Sequence, residues 1–113
     1  MGYRSEVLIV TDLINQELVE ILENENDYSE KLQFQITDVR TNKEIDCLMI
    51  KWDYAKWYDG YEDVDRIMNA INKIEDEDSF GFIRIGEEFV DVEVIGNPYD
   101  FNYVITRKIE CMV

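Results

Sequence analysis

The spacing of apolar residues changes four times along this chain of 113 residues, between a strand-like and a helical repeat. An apolar run covers Val7–Val10, a helical repeat follows from Leu13 to Leu22, residues 32–37 alternate, and a second helical repeat runs from Val64 to Ile74. Strands place alternate residues on opposite faces, whereas a helix gathers residues three and four apart into one stripe. With the strand-like runs that follow, the pattern predicts the order β-α-β-β-α-β-β-β.

Each predicted helix has one apolar stripe that must be buried. Thr11 is predicted to be the N-cap of the first helix, with Asp12 near its positive end. The stripe of the first helix is predicted to contain Leu13, Ile14, Leu18, Ile21 and Leu22. The stripe of the second is predicted to contain Val64, Ile67, Met68, Ile71 and Ile74.

The strands are predicted from alternation and from turn residues. The first six elements follow the split βαβ plan. We therefore expect residues 1–113 to form a single α+β domain with a ferredoxin-like antiparallel sheet, two helices on one face and an extra C-terminal hairpin. After the first strand, the predicted strands cover residues 32–37, 45–52, 80–85, 90–94 and 101–111, and the run CLMI at 47–50 is expected to be covered on both faces.

The net charge of −15, from 26 acidic against 11 basic residues and no His, limits the classes of partner. Direct binding to nucleic acid or to an anionic membrane needs clustered Lys and Arg, so we expect neither. Two explanations of the charge stay open. The carboxylates keep a small domain in solution, or they bind a basic surface on another protein.

Much of this charge lies between Asp59 and Glu93, where twelve carboxylates face only Arg66, Lys73 and Arg84. Carboxylates at such density can replace phosphates in a basic groove, although a solvated helix face with acidic turns is the plainer interpretation. The residues predicted to bind a partner here are Asp59, Glu62, Asp63, Glu75, Asp76, Glu77, Asp78, Glu87 and Glu88.

The stretch WDYAKWYDGY at 52–61 is rich in aromatic residues. Trp52 continues the alternation of Leu48 and Ile50 and is predicted to lie in the core. Three further rings, Trp57, Tyr58 and Tyr61, are harder to bury together on a loop, and large rings beside charge are typical of binding hot spots. We predict that these three contact the partner, with ordinary packing as the alternative.

No residue set specifies a reaction. The lack of His excludes Ser-His and Cys-His pairs, so we expect no enzyme and no cofactor. Asp76, Asp78 and Glu87 fall at EF-hand spacing, but Phe80 occupies a position that needs an oxygen ligand, so no metal site is predicted. The two cysteines, Cys47 and Cys111, lie in apolar runs, and no signal peptide is visible, which favours a cytoplasmic protein.

Three segments resemble small acidic proteins encoded by bacteriophages and prophages: MGYRSEV at the start, KWYDGYEDV at 56–64 and FIRIGEE at 82–88. That resemblance implies a protein that acts in the cytoplasm of a bacterial host. It also implies a host-defence target, as for an anti-CRISPR-like inhibitor or a DNA mimic. It supplies no catalytic residues.

We therefore predict a protein that binds and blocks the basic, nucleic-acid-binding surface of a host defence protein or ribonucleoprotein complex. One alternative is a protein that sequesters an anionic nucleotide signal, with a pocket built from the aromatic stretch and Arg4, Arg84 or Arg107. A second alternative is a structural or assembly accessory. The sequence does not fix the oligomeric state.

Overall fold

The computed structural model describes residues 3–38, 41–58, 60–88 and 90–101, with the backbone alone for residues 99 and 100. Its regular elements are β1 (Ser5–Asp12), α1 (Gln16–Glu23), β2 (Glu30–Thr37), β3 (Glu44–Ala55), α2 (Glu62–Asn72), β4 (Phe80–Gly86) and β5 (Val92–Gly96). Two short 3₁₀ turns, Glu77–Ser79 and Pro98–Phe101, precede β4 and follow β5.

The described strands form one antiparallel sheet in the order β2-β3-β1-β4-β5. The first six elements of the chain have the predicted split βαβ topology, and β5 extends the sheet beyond β4. The predicted α+β, ferredoxin-like fold is therefore confirmed. Cys47–Ile50 in β3 are all buried, as their unbroken apolar run predicts.

Both helices cover the same face of the sheet. Leu18 and Leu22 of α1 and Ile67 and Ile71 of α2 belong to one buried cluster with Ile9, at the centre of β1. Because β1 and β3 are antiparallel and each leads into one helix, α1 and α2 are antiparallel as well. In the described part of the chain, no helix has the length and apolar character needed to cross a membrane.

The opposite face of the sheet carries a second, smaller cluster. Val10, Cys47 and Met49 are buried there against Phe101, which belongs to the 3₁₀ turn after β5. The sheet is thus apolar on both sides in its middle strands. This explains why the middle of β1 and the middle of β3 are apolar without a break.

The predicted start of the first helix is wrong. Thr11 is not an N-cap but a fully buried residue of β1, paired with Leu48 and Phe80, and α1 begins five residues later, at Gln16. Pairing on both sides of β1 holds Thr11 in the strand. Ile14 precedes the helix and is 73% exposed, so it does not belong to the buried stripe.

The predicted end of the chain is only partly testable. Val90 precedes β5, which begins at Val92, and Phe101 lies in a 3₁₀ turn where a strand was predicted. Pro98 has no N–H for a sheet and favours this turn. The rest of the predicted last strand, with Arg107 and Cys111, lies outside the described residues.

Candidate functional site

Trp57 is partly buried and packs against the core. Its ring centroid lies 5.4 Å from that of Trp52 and 6.0 Å from that of Phe82, two side chains of the buried cluster. Trp52 itself is 6% exposed, as predicted. The five-residue interval lets the chain leave β3 and fold the second indole back over the first.

Tyr58 holds the start of the chain in place. Its hydroxyl donates a 2.7 Å hydrogen bond to the backbone carbonyl of Tyr3, and its ring packs edge-on against Tyr61 at 5.3 Å. Tyr61 is 44% exposed. Of the three aromatic residues predicted to bind a partner, Tyr61 is the one that offers substantial open ring surface.

The predicted acidic residues fall into two groups at opposite ends of the fold. Glu62 and Asp63 open α2, near the end of the sheet where β4 passes into the turn containing Glu87 and Glu88. Glu75–Asp78 follow the other end of α2, whose eleven residues span about 16 Å. Asp59 lies outside the described residues.

Sequence reasoning overlooked the carboxylates of α1. We define the helical layer as residues 13–29 and 60–79, which contain both helices, the loops on either side of α1 and the loop after α2, and which leave out residues 56–59 before α2, with Lys56 and Asp59. This layer holds twelve carboxylates against Arg66 and Lys73, a net charge of −10 out of −15 for the chain. The signal was visible in the sequence, because residues 13–29 contain five acidic residues and no Lys or Arg.

Some of these carboxylates lie where they weaken the fold. Glu23 occupies the last turn of α1, at the negative end of the helix dipole, and no basic residue lies in that turn. Burial, together with the nearby charge of Asp63, raises the pKa of Glu25 just beyond it. The end of α1 and the start of α2 therefore bring like charges together.

The acidic segment 75–78 is partly used by the fold. Asp76 accepts a 3.0 Å hydrogen bond from the backbone N–H of Asp78, and Asp78 accepts one of 3.2 Å from the amide of Asn97. Glu75 and Glu77 are exposed and make no ion pair within the described residues. The segment leads directly into β4 and not into the second helix of an EF-hand.

A polar network around Arg84 was not predicted. Its guanidinium lies 2.7 Å from a carboxylate oxygen of Asp91 and 3.1 Å from one of Glu93. The hydroxyl of Tyr3 donates a 2.6 Å hydrogen bond to Asp91 and accepts one of 3.0 Å from the N–H of Glu88. We call these five residues the Arg84 network; it joins the first residues of the chain to the β4–β5 turn.

The network shifts the pKa values of its members. The hydrogen bond from Arg84, aided by that from Tyr3, lowers the pKa of Asp91 to about 2. The hydrogen bond to Asp91 raises the pKa of Tyr3. Gly86 must lack a side chain here, because a Cβ would meet the Asp91 carboxylate and the Tyr3 hydroxyl. Asp91 and Glu93 therefore stabilise the fold through their ion pairs with Arg84.

Of the three cations proposed for a nucleotide pocket, Arg107 lies outside the described residues. Arg84 is occupied by Asp91 and Glu93, while Arg4 lines an open groove of about 440 Å³ on the strand side, with Lys51 and Tyr54. In that groove the ammonium of Lys51 lies 3.3 Å from Glu6 and 3.5 Å from Asp53. The groove thus contains both signs of charge, and carboxylates already neutralise Lys51.

Comparison with known proteins finds a similarity in structure but none in sequence. No family model matches the chain, and no curated protein matches it. Among solved structures, the fold is similar to that of a phage SAM lyase in complex with S-methyl-5'-thioadenosine. The comparison covers 88% of this chain and 94% of the lyase chain, with 11% identity and a TM-score of 0.46.

The expectation that this chain is not an enzyme is corrected by that finding, since the similar solved structure is an enzyme. The exclusion was drawn from the missing His and from the absence of nucleophile–base pairs, and neither rules out an activity on this fold. At this identity and TM-score the similarity concerns the fold, and neither the activity nor the ligand of the lyase is transferred to this chain.

Proposed function

We propose that the helical layer binds a basic, nucleic-acid-binding surface of another protein or ribonucleoprotein complex and thereby blocks it. The observation that carries this proposal is the charge of the layer: twelve carboxylates against two cations on one side of the sheet. Such a surface steers a basic partner toward it and offers oxygen atoms in place of phosphates.

The cost of this charge to the fold supports a role outside the fold. Glu23 at the negative end of α1, and Glu25 beside Asp63, would each be replaced at little structural loss by a neutral residue. Residues that break a local stability rule without compensation tend to mark a functional surface. The crowding of carboxylates where the two helices meet fits a surface shaped for a cationic partner.

The neutralised carboxylates fall mostly outside this layer. Outside the layer, Asp91 and Glu93 pair with Arg84. Within it, the described residues form two ion pairs, Glu62–Arg66 and Glu17–Lys73. Both are exposed, so each restrains its carboxylate only weakly. A basic partner can therefore compete for the carboxylates of these two pairs.

The resemblance to small acidic phage proteins directs the proposal to a host defence complex in a bacterial cytoplasm. Inhibition would be competitive, as in a DNA mimic: the complex holds either its nucleic acid or this protein. Tyr61, at the start of α2, would add apolar contact area beside Glu62 and Asp63.

The test is displacement of nucleic acid. Bacterial proteins retained at low salt on the immobilised chain are purified and loaded with a fluorescent duplex, and the anisotropy is followed as this protein is added. We expect competitive release and an affinity that falls by at least about tenfold between low and high salt. Retained proteins that keep their nucleic acid, or a complex insensitive to salt, would contradict the proposal.

Two matched variants locate the surface. Glu20, Glu23 and Glu62 lie in the helical layer, and their joint change to Gln should weaken displacement by at least about tenfold. Changing Glu30, Glu44 and Asp53 to Gln or Asn removes the same charge from exposed positions outside the layer. This control should weaken displacement less than about threefold. Equal losses would show that net charge, not the helical layer, governs binding.

A further inference from the structure

A cleft of about 440 Å³ opens between the start of α1 and the loop after α2. Its apolar lining includes Leu18, Ala70 and Ile74. Leu18 and Ala70 are buried in the main cluster, and Ile74 packs against that cluster. The accessible apolar surface of the cleft therefore comes from Ile14 and Ile74, with Leu18 and Ala70, 1% and 3% exposed, beneath it. Its size is within the range of ligand pockets.

The rim of the cleft is acidic. Glu17, Glu75 and Asp76 lie on it with a single cation, Lys73, which gives a net charge of −2. The Lys73 ammonium lies 3.2 Å from Glu17, but both side chains are more than half exposed. Such a pair contributes little stability and can exchange for an incoming cation.

The walls of the cleft are fixed relative to each other. The side-chain amide of Asn15 donates hydrogen bonds to Thr11 at 3.0 Å and to the carbonyl and hydroxyl of Ser79 at 3.1 and 3.0 Å. Ile14, 73% exposed at the rim, is held by its N–H bond to Asp12 and by its carbonyl, which accepts from Gln16. A preformed cleft loses little entropy when it is filled.

We propose that this cleft is a socket for an arginine side chain of the basic partner. The aliphatic part of arginine would lie along Ile14 and Ile74, above the buried Leu18 and Ala70, and its guanidinium would reach Glu17 and Glu75 at the rim. Long cationic side chains bury their stems on apolar surfaces and keep the charged group at polar ones. Arginine suits the site better than lysine because its planar group binds carboxylates in bidentate geometry and is weakly hydrated.

This inference rests on the proposed function, since it names the group by which the basic partner would be recognised. It also gives the two acidic ends of the helical layer different roles in binding. The crowded carboxylates near Glu25 and Asp63 would supply long-range attraction, whereas the cleft would supply a short-range contact with defined shape.

The test uses blocked amino acids as probes. N-acetyl-arginine methylamide is titrated into the isotope-labelled protein at low ionic strength and followed by amide chemical shifts. We expect saturable shifts confined to residues 14–18 and 70–79, with a dissociation constant in the millimolar range, on the order of 4 kcal/mol. The blocked lysine and norleucine analogues should each bind several-fold more weakly.

Point variants separate the socket from general electrostatic attraction. Glu75→Gln and Ile14→Ser alter exposed rim residues and should each weaken arginine binding by about three- to tenfold. Glu44→Gln, at an exposed position of β3 outside the helical layer, removes the same charge and should leave affinity within about twofold. Shifts that spread over the helical layer without saturation, or equal effects of Glu75→Gln and Glu44→Gln, would overturn the socket. Equal binding of norleucine would reduce it to an apolar cleft and would overturn it as well.

The two proposals fail separately. Nucleic-acid displacement that is unaffected by Glu75→Gln and Ile14→Ser would leave the helical layer as the binding surface and remove the socket. Saturable arginine binding without any displacement would keep the socket and remove the blocking function.

Discussion

The Arg84 network and the helical layer are both rich in carboxylates but use them in opposite ways. In the network, Asp91 and Glu93 both pair with one largely buried guanidinium, and Asp91 also accepts a hydrogen bond from the Tyr3 hydroxyl. In the helical layer, twelve carboxylates share Arg66 and Lys73, and both of their ion pairs are exposed. The availability of a carboxylate for a partner thus depends on the nearest cation and its burial, not on the local acid count.

The largest expected effect comes from removing the centre of the network. Arg84→Met leaves Asp91 and Glu93 facing each other without a cation, and it should lower the free energy of unfolding by about 2–3 kcal/mol. Urea denaturation measures this. Arg66→Met, which removes an exposed helical pair with Glu62, should cost no more than about 0.5 kcal/mol. Similar costs for the two variants would erase the contrast between the regions.

A second variant tests how tightly the network is packed. In Gly86→Ala, the new Cβ would meet the Asp91 carboxylate, which Arg84 holds in place, so we expect a loss of about 1–2 kcal/mol. In an Asp91→Ala background the contact with the carboxylate is removed and only that with the Tyr3 hydroxyl remains, so the same change should cost less. Additive losses in this double-mutant cycle would show that Asp91 is not the obstacle.

Most of the fold was predictable from the sequence because its signals are local. The burial of the apolar stripe of α2 and of the unbroken run Cys47–Ile50 could be predicted from the spacing of these residues alone. The N-cap prediction for Thr11 failed because a capping residue and a strand residue look alike until the strand partners are known. Thr11 pairs with Leu48 and Phe80, which are distant in the sequence, so its neighbours along the chain do not indicate its burial.

The candidate site was less predictable, for the same reason. The list of carboxylates between 59 and 93 mixed Asp91 and Glu93, which belong to the Arg84 network, with carboxylates of the helical layer. It also omitted α1, which comes next to α2 only through the sheet topology. The loop position of Trp57 likewise gave no sign in the sequence that its ring packs against Phe82 and is partly buried.

Acid should remove stability contributed by the Arg84 network and relieve repulsion in the helical layer. Asp91 tests the effect on the network. Its folded pKa of about 2 lies below the value of 3.8 expected for an unperturbed Asp, so its stabilising effect is present above about pH 4 and lost as the pH falls toward 2. Asp91→Asn should therefore be less stable than the wild type at neutral pH and lose less over that interval. The difference between the two unfolding free energies at each pH isolates this residue, and a constant difference would contradict the assignment.

The smallest expected effect is a gain in the helical layer. Burial and Asp63 raise the pKa of Glu25, so the folded state binds its proton more tightly than the unfolded state, and the ionised carboxylate destabilises the fold at neutral pH. Glu25→Gln should then raise the unfolding free energy by roughly 0.2–0.5 kcal/mol at neutral pH, with the gain vanishing on acidification. Glu44→Gln on β3 is the exposed control. A loss of stability in Glu25→Gln would show that the carboxylate makes a favourable contact.

The burial of Cys47 in β3 makes its thiol a probe of local opening of the fold. Burial, with the charges of Asp12 and Asp46 nearby, raises the pKa of its thiol to about 12, so almost no thiolate exists in the closed state at neutral pH. Alkylating reagents attack the thiolate and must wait until Phe101 or the neighbouring side chains of the second cluster move away from Cys47. In a Cys111→Ser background, the rate at which a maleimide modifies Cys47 therefore measures how often this cluster opens, on the face of the sheet opposite the helices.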